Sequence, residues 1–353
     1  MAGGLLCQAE RIKIYPMKEA LFYTKEEGQK TACSLCPHYC RIAEGNSGIC
    51  GVRENQGGVL YSLVYGKVAA ANPDPIEKKP LFHFLPGSRS YSIATVGCNF
   101  RCDFCQNYGI SQLPREKHLI EGEEMTPQEI VAAAQHSGCQ SISYTYTEPT
   151  IYFEYAYDTA VLAAAAGLKN VFVTNGFITP EPLKQIAPIL NAANIDLKSM
   201  KDETYRQVCG GSLQPVLNAL RLYRELNIWI EVTTLVIPGL NDSKQELSDI
   251  ARFIRDELGA QVPWHLSAFY PTYKMTDRPP TPPEELMRAQ LIGIESGLKY
   301  VYCGNVSVPG LEDTHCPKCR LGLISRSGFG VIKNALVDGR CYNCGEAIDG
   351  IWE

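Results

Sequence analysis

No apolar stretch in this chain is long enough to cross a bilayer. The longest runs from about Ala160 to Leu168, against the roughly 20 residues that a membrane-spanning helix needs. An excess of basic residues is missing too. The formal charge of −5 and the pI near 5.8 argue against nucleic acid or an anionic membrane as the main partner. No signal peptide is visible, and Leu5-Leu6-Cys7 resembles a lipoprotein box only superficially, because no exportable apolar run precedes it. Internal repeats and low-complexity segments are also lacking. These absences favour a cytoplasmic protein, and 353 residues allow a large catalytic domain with one or two appendages.

Cysteine is plentiful, with fifteen in the chain. Most sit in C-x2-C or C-x3-C spacing, so metal ligation in a reducing compartment explains them better than disulfides do. Three groups hold eleven of them: Cys33, Cys36, Cys40 and Cys50; Cys98, Cys102 and Cys105; and Cys316, Cys319, Cys341 and Cys344. Cys7, Cys139, Cys209 and Cys303 are left over and read as small buried residues.

The middle of the chain alternates short β-rich runs with amphipathic stretches, the pattern of repeated βα units. Strands are expected at Tyr91–Val96, Ser141–Thr145, Asn170–Thr174, Asn194–Leu197, Trp229–Val236 and Trp264–Ala268. Helices are expected at Pro127–Ser137, Ile151–Ala166, Pro180–Leu190, Leu213–Leu226 and Ser243–Leu258, with Thr126 and Thr179 placed as helix entries. A further helix from Pro283 to Gly297 leads into a strand at Tyr300–Val306. The fold class is therefore α/β: a partial, TIM-like (β/α)6 barrel over residues 89–308, with an open doubly wound sheet as the alternative. A Cys-rich segment, 1–88, precedes it, with Val59–Ala69 behind Gly57-Gly58 read as a β-hairpin. A module at 309–353 follows it.

In such barrels functional groups gather at the C-terminal ends of the strands. The cysteine triplet follows the first strand and Glu148, in YTYTEPT, the second. Thr174, Asn175 and Gly176 follow the third, Asp196 and Lys198 end the fourth, Thr234 lies late in the fifth, and His265 sits on the sixth. The triplet, in GCNFRCDFCQN, gives three thiolates where an ordinary electron-transfer cluster takes four, which leaves one iron of a [4Fe-4S] cluster open to an exchangeable ligand. A closed zinc or ferredoxin site that borrows a fourth ligand is the plainer alternative.

The triplet and the residues placed around it resemble the radical S-adenosylmethionine (SAM) superfamily, and more distantly its pyruvate formate-lyase-activating enzymes, over roughly Ser90 to Ala268. The segments CSLCPHYCRIAEGNSGICGVREN and NPDPIEKKPLFHFLPGS, with the four-cysteine tail, resemble the radical SAM enzyme of the AmmeMemoRadiSam system over nearly the whole chain. The resemblance implies a [4Fe-4S] cluster on Cys98, Cys102 and Cys105. It also implies SAM on the open iron, with reductive cleavage to a 5'-deoxyadenosyl radical that abstracts hydrogen from a substrate. Glu148 would meet the SAM amino group, at a position where Tyr146 and Thr147 replace the usual glycines. Asn175, Asp196, Lys198 and His265 would meet the carboxylate, ribose or adenine. The implied partners are a flavodoxin or ferredoxin-type reductant, a protein substrate, and AMMECR-type and Memo-type proteins. An oxidoreductase or activase follows, with a metal-binding scaffold without turnover as the reading of another class.

The N-terminal set, C-x2-C-x3-C-x9-C, fits zinc or an auxiliary iron–sulfur cluster, with His38 as a substitute ligand. The C-terminal pair of C-x2-C knuckles fits a zinc ribbon or rubredoxin-like site holding zinc or iron. It would supply folding free energy to a tail too short for its own core. The Pro-rich stretch from Pro271 to Glu285 reads as a loop that could cover the barrel mouth.

Overall fold

The computed structural model describes residues 17–353. Cys7 and its Leu5-Leu6 neighbours lie outside the described residues. The centre is an eight-stranded sheet. Seven parallel strands run, in order, Arg89–Ala94, Ser141–Tyr144, Lys169–Thr174, Ala192–Asp196, Trp229–Val236, Trp264–Ala268 and Val301–Gly304. Ala70–Pro75 adds an antiparallel edge beside Arg89–Ala94. The edge strands Ala70–Pro75 and Val301–Gly304 do not pair with each other, so the barrel is open. The edge strand belongs to this sheet although it lies before residue 89.

Each parallel connection carries helix, as parallel strands require. Ile130, Ala134, Ala160, Leu220, Leu247 and Ile250 on those helices are buried against the sheet. Thr126 caps the helix Pro127–His136 through a reciprocal pair with Glu129. Thr179 precedes Pro180, but its hydroxyl donates to the carbonyls of Ser34 and Leu35 and so ties the N-terminal segment to the barrel. The helix expected to reach Leu190 ends at Ile186 and tightens into a 3-10 turn, Ala187–Ile189. Pro188, without an N–H, cannot continue the helical ladder.

The hairpin is formed by Arg53–Gln56 and Val59–Ser62 around Gly57 and Gly58, both at positive φ. Its first arm therefore lies before the glycines. Lys67–Val68 pairs instead with Glu123–Glu124.

The segment from Ile76 to Leu85 crosses the end of the barrel opposite the mouth. Glu231, on the fifth parallel strand, accepts the N–H groups of Phe82 and His83. The C-terminal module docks here. Arg326 donates to the Phe82 carbonyl and lies over its ring, and Ile351 exchanges backbone hydrogen bonds with His83 and Leu85.

Candidate active site

The loop after Arg89–Ala94 carries Cys98, Cys102 and Cys105. Its path is fixed by backbone bonds from Arg101 to the Cys209 carbonyl and from Asp103 to the Val208 carbonyl. Arg115 adds bonds to the carbonyls of Ile49, Cys98 and Phe100. The three sulfurs line a cavity of about 300 Å³ together with Thr174, Asn175, Asp196 and Lys198. Lys78 and Lys79 enter the same cavity from the segment beyond the edge strand, and Tyr146, Thr233 and Ser267 complete its walls.

Asp196 and Lys198 form an ion pair of 2.8 Å within the wall. Burial pulls the Lys198 ammonium down, but Asp196 and the thiols of Cys102 and Cys209 hold it well above its ordinary value. The Asn175 amide donates to Asn99 Oδ1 at 2.8 Å, and its oxygen accepts the Phe177 N–H. Asn175 thus braces the cluster loop while lining the cavity.

Glu148 and His265 are placed elsewhere. Glu148 is fully buried behind the wall, where its carboxylate accepts from the N–H and hydroxyl of Thr150, the Thr174 hydroxyl and the Asn175 N–H. Burial raises its pKa and those donors oppose the rise. The residues of YTYTEPT that reach the cavity are Thr145, Tyr146 and Thr147. His265 points into the barrel below the cavity, with Nε2 2.6 Å from Glu231 Oε2 and Phe82 against its ring. Alternation along the strand identifies its face but not its depth: Ser267, two residues on, is the residue that lines the cavity. Thr234 donates to the Leu197 carbonyl and does not line the cavity.

Sequence reasoning did not single out Lys78 and Lys79. Lys79 is buried, pairs with Asp74 at 2.8 Å and lies over the Tyr146 ring. Burial lowers its ammonium to about 8 against the pull of Asp74. Its one signal was NPDPIEKKP, whose proline-broken strand gives no periodicity to point with. Cys209 is another addition, since its thiol lies beside Cys102. The Pro-rich loop folds onto the cluster loop: Lys274 N–H donates to the Asp103 carbonyl, and Tyr273 stacks on Tyr108.

The donor set fits the group expected of it. Among the described residues, the only cluster of three or more potential ligands within 4.8 Å of one another is Cys316, Cys319, Cys341 and Cys344. The sulfurs of Cys98, Cys102 and Cys105 do not all lie within that distance of one another, which suits a multi-iron cluster better than a single ion. The C-terminal sulfurs pair at 3.6 Å, Cys316 with Cys344 and Cys319 with Cys341. A tetrahedral ion bonded to sulfur at about 2.3 Å sets its ligands about 3.8 Å apart, so this group could hold one metal ion.

The structure thus sets three thiols at the C-terminal mouth of an open parallel α/β sheet, where such folds carry their functional groups. Residues 92–254 match the Radical SAM superfamily, so the chain carries a radical SAM domain. An uncharacterized protein of Methanocaldococcus jannaschii is 50% identical over 335 residues, covering 94% of this chain and 99% of that one. GTP 3',8-cyclase of Stenotrophomonas maltophilia is 29% identical over 168 residues, 46% of this chain and 49% of that enzyme, so the chain matches about half of its length. Among solved structures, a radical SAM methyltransferase from Sphaerobacter thermophilus shares the fold with a TM-score of 0.50 and 18% identity, over 63% of this chain and 67% of that one. The superfamily implies a [4Fe-4S] cluster and SAM. No helix among the described residues is long and apolar enough to cross a membrane.

Proposed function

We propose that this chain is a radical SAM enzyme whose cluster is held by Cys98, Cys102 and Cys105 and whose SAM lies in the adjoining cavity. Bound there, that pair would supply one-electron reductive cleavage of SAM and hydrogen abstraction from a substrate at the mouth. The observation that carries the reading is the meeting of the three thiols with Thr174, Asn175, Asp196 and Lys198 around one cavity. Asp196 accepts Lys198 through Oδ2, and we assign Oδ1 to ribose hydroxyls. Lys198 is suited to a carboxylate. Glu148 and His265, engaged elsewhere, are left out of the contact set.

The full-length motif resemblance supports a place in the AmmeMemoRadiSam system, with AMMECR-type and Memo-type partners and a flavodoxin or ferredoxin-type reductant. An activase differs only in drawing its hydrogen from a glycine of a partner protein. All fourteen described cysteines are free thiols, which supports a reducing compartment such as the cytoplasm. Zinc or iron in the C-terminal cage would hold the two knuckles of the tail together.

The test is anaerobic reconstitution with iron and sulfide, then dithionite and SAM, with 5'-deoxyadenosine read by mass spectrometry and Cys102→Ala as control. Formation in the natural protein alone is expected. A spectroscopically intact cluster that binds SAM without cleaving it would favour the metal-binding scaffold.

A further inference from the structure

Four cysteines near the N-terminus take no part in the cavity, and their arrangement differs from that of the C-terminal four. Cys33, Cys36 and Cys40 come from one short run, C-x2-C-x3-C, with Cys50 joining from the following loop. That run reverses the C-x3-C-x2-C spacing of the central triplet. A single-ion ribbon is built instead from two separate pairs, as at Cys316 to Cys344, whereas three ligands from one run and a fourth from elsewhere is the ferredoxin pattern.

Sulfur spacing points the same way. Among the described residues only the C-terminal four lie within 4.8 Å of one another. The N-terminal four are nonetheless gathered: the Cys33 N–H donates to the Cys40 carbonyl at 2.9 Å, the Tyr39 N–H turns back to the Cys36 carbonyl at 3.1 Å, and Ile49, next to Cys50, faces Cys40. As in the central triplet and unlike the ribbon, no three of these thiols lie within 4.8 Å of one another. The Ile49 N–H is directed at Cys40 Sγ, 3.5 Å away, the kind of backbone donor that stabilises cluster thiolates. His38 is not a competing ligand through Nε2, which lies 2.7 Å from the Asn99 carbonyl and donates to it.

We propose that Cys33, Cys36, Cys40 and Cys50 hold a second iron–sulfur cluster, of the four-iron class, closed by four thiolates and seated against the loop that carries the first. Three contacts define the seat. His38 reaches Asn99, Arg115 bridges the carbonyls of Ile49 and Cys98, and Gly97 packs on Val52 and the Cys50 carbonyl. A Cβ on Gly97 would stand 2.6 Å from Val52 Cγ1 and 3.1 Å from the Cys50 oxygen, so the approach requires glycine. The assignment rests on the N-terminal residues alone and uses the radical SAM reading of the triplet only for comparison.

The experiment counts metals in the full chain after anaerobic reconstitution in the presence of zinc. The natural protein should carry about eight irons and eight sulfides, as two four-iron clusters require. A Cys98→Ser/Cys102→Ser/Cys105→Ser variant should keep about half of each, with one metal ion at the ribbon, and should give a reduced-cluster EPR signal after dithionite. Absence of iron in that variant, with or without a second zinc, overturns the proposal, provided that its ribbon metal and melting profile show a folded chain. Should it fail to fold, Cys36→Ser/Cys40→Ser decides: loss of about half the iron supports the second cluster, and unchanged iron refutes it. If the first variant keeps its cluster while Cys36→Ser/Cys40→Ser loses all iron, the second site stands and the reading of the central triplet fails.

Discussion

Glu148 separates a residue that touches a ligand from one that shapes the wall around it. Its carboxylate accepts four hydrogen bonds, two from Thr150 beside it and two, from Thr174 and Asn175, that join the ends of the second and third parallel strands. Glu148→Gln turns one acceptor into an amide donor facing donors, at a cost of about 1–3 kcal/mol for the buried mismatch. The expected result is a lower melting temperature together with weaker SAM binding. Weaker SAM binding at an unchanged melting temperature would instead make Glu148 a direct contact. Gly211 offers a second test at this scale. A Cβ there would stand 2.2 Å from Phe100 Cε1, and Phe100 lies inside the cluster loop. Gly211→Ala should destabilise by about 1–3 kcal/mol through overpacking and reduce iron retained at the triplet after desalting, with unchanged retention counting against this account.

The elements legible in the sequence were those whose pattern and function agree. Trp229–Val236 and Trp264–Ala268 are observed where β-rich apolar composition places them, and the capping chemistry at Thr126 marked its helix start. Ala70–Pro75 was not legible because Pro73 and Pro75 read as turn residues, and only an edge position lets a strand carry them. For the same reason Lys79 escaped notice. Element boundaries shifted where backbone geometry changed locally: the helix Lys244–Phe253 passes into a π-type turn at Ile254–Leu258 instead of continuing unchanged. The Pro271–Glu285 loop was legible as a loop, but its seat on Tyr108 and Asp103 depends on long-range contacts. Removing the Tyr273 ring should cost about 0.5–1.5 kcal/mol of stacking. Tyr273→Ala is therefore expected to speed amide exchange across residues 272–276 and leave the sheet protected. Equal exchange in both proteins would mean that the ring does not hold the loop.

At the scale of the whole molecule, His83 joins three parts of the chain at the closed end of the barrel. Its N–H lies on Glu231, its Nδ1 donates to the Asp349 carbonyl at 2.6 Å, and its Nε2 faces the Tyr302 hydroxyl at 2.5 Å. With Nδ1 donating, Nε2 is left as the acceptor, which fixes a neutral imidazole in one tautomer. Burial is the main cause of its depressed pKa, about 4 against an ordinary 6.5, with Glu231 and the Asp349 carbonyl opposing and Arg326 assisting. Between those two values the unfolded chain binds the proton that the folded chain refuses, so stability falls as pH drops from 6.5 towards 4. The shift corresponds to about 3 kcal/mol once pH lies below both values. His83→Gln keeps a donor and an acceptor without the titration. It should therefore melt lower than the natural protein at pH 7, with the difference shrinking as pH approaches 4.5, while both retain the same metal content. Parallel pH profiles for the two proteins would show that the closed end of the barrel is held together without His83 staying neutral.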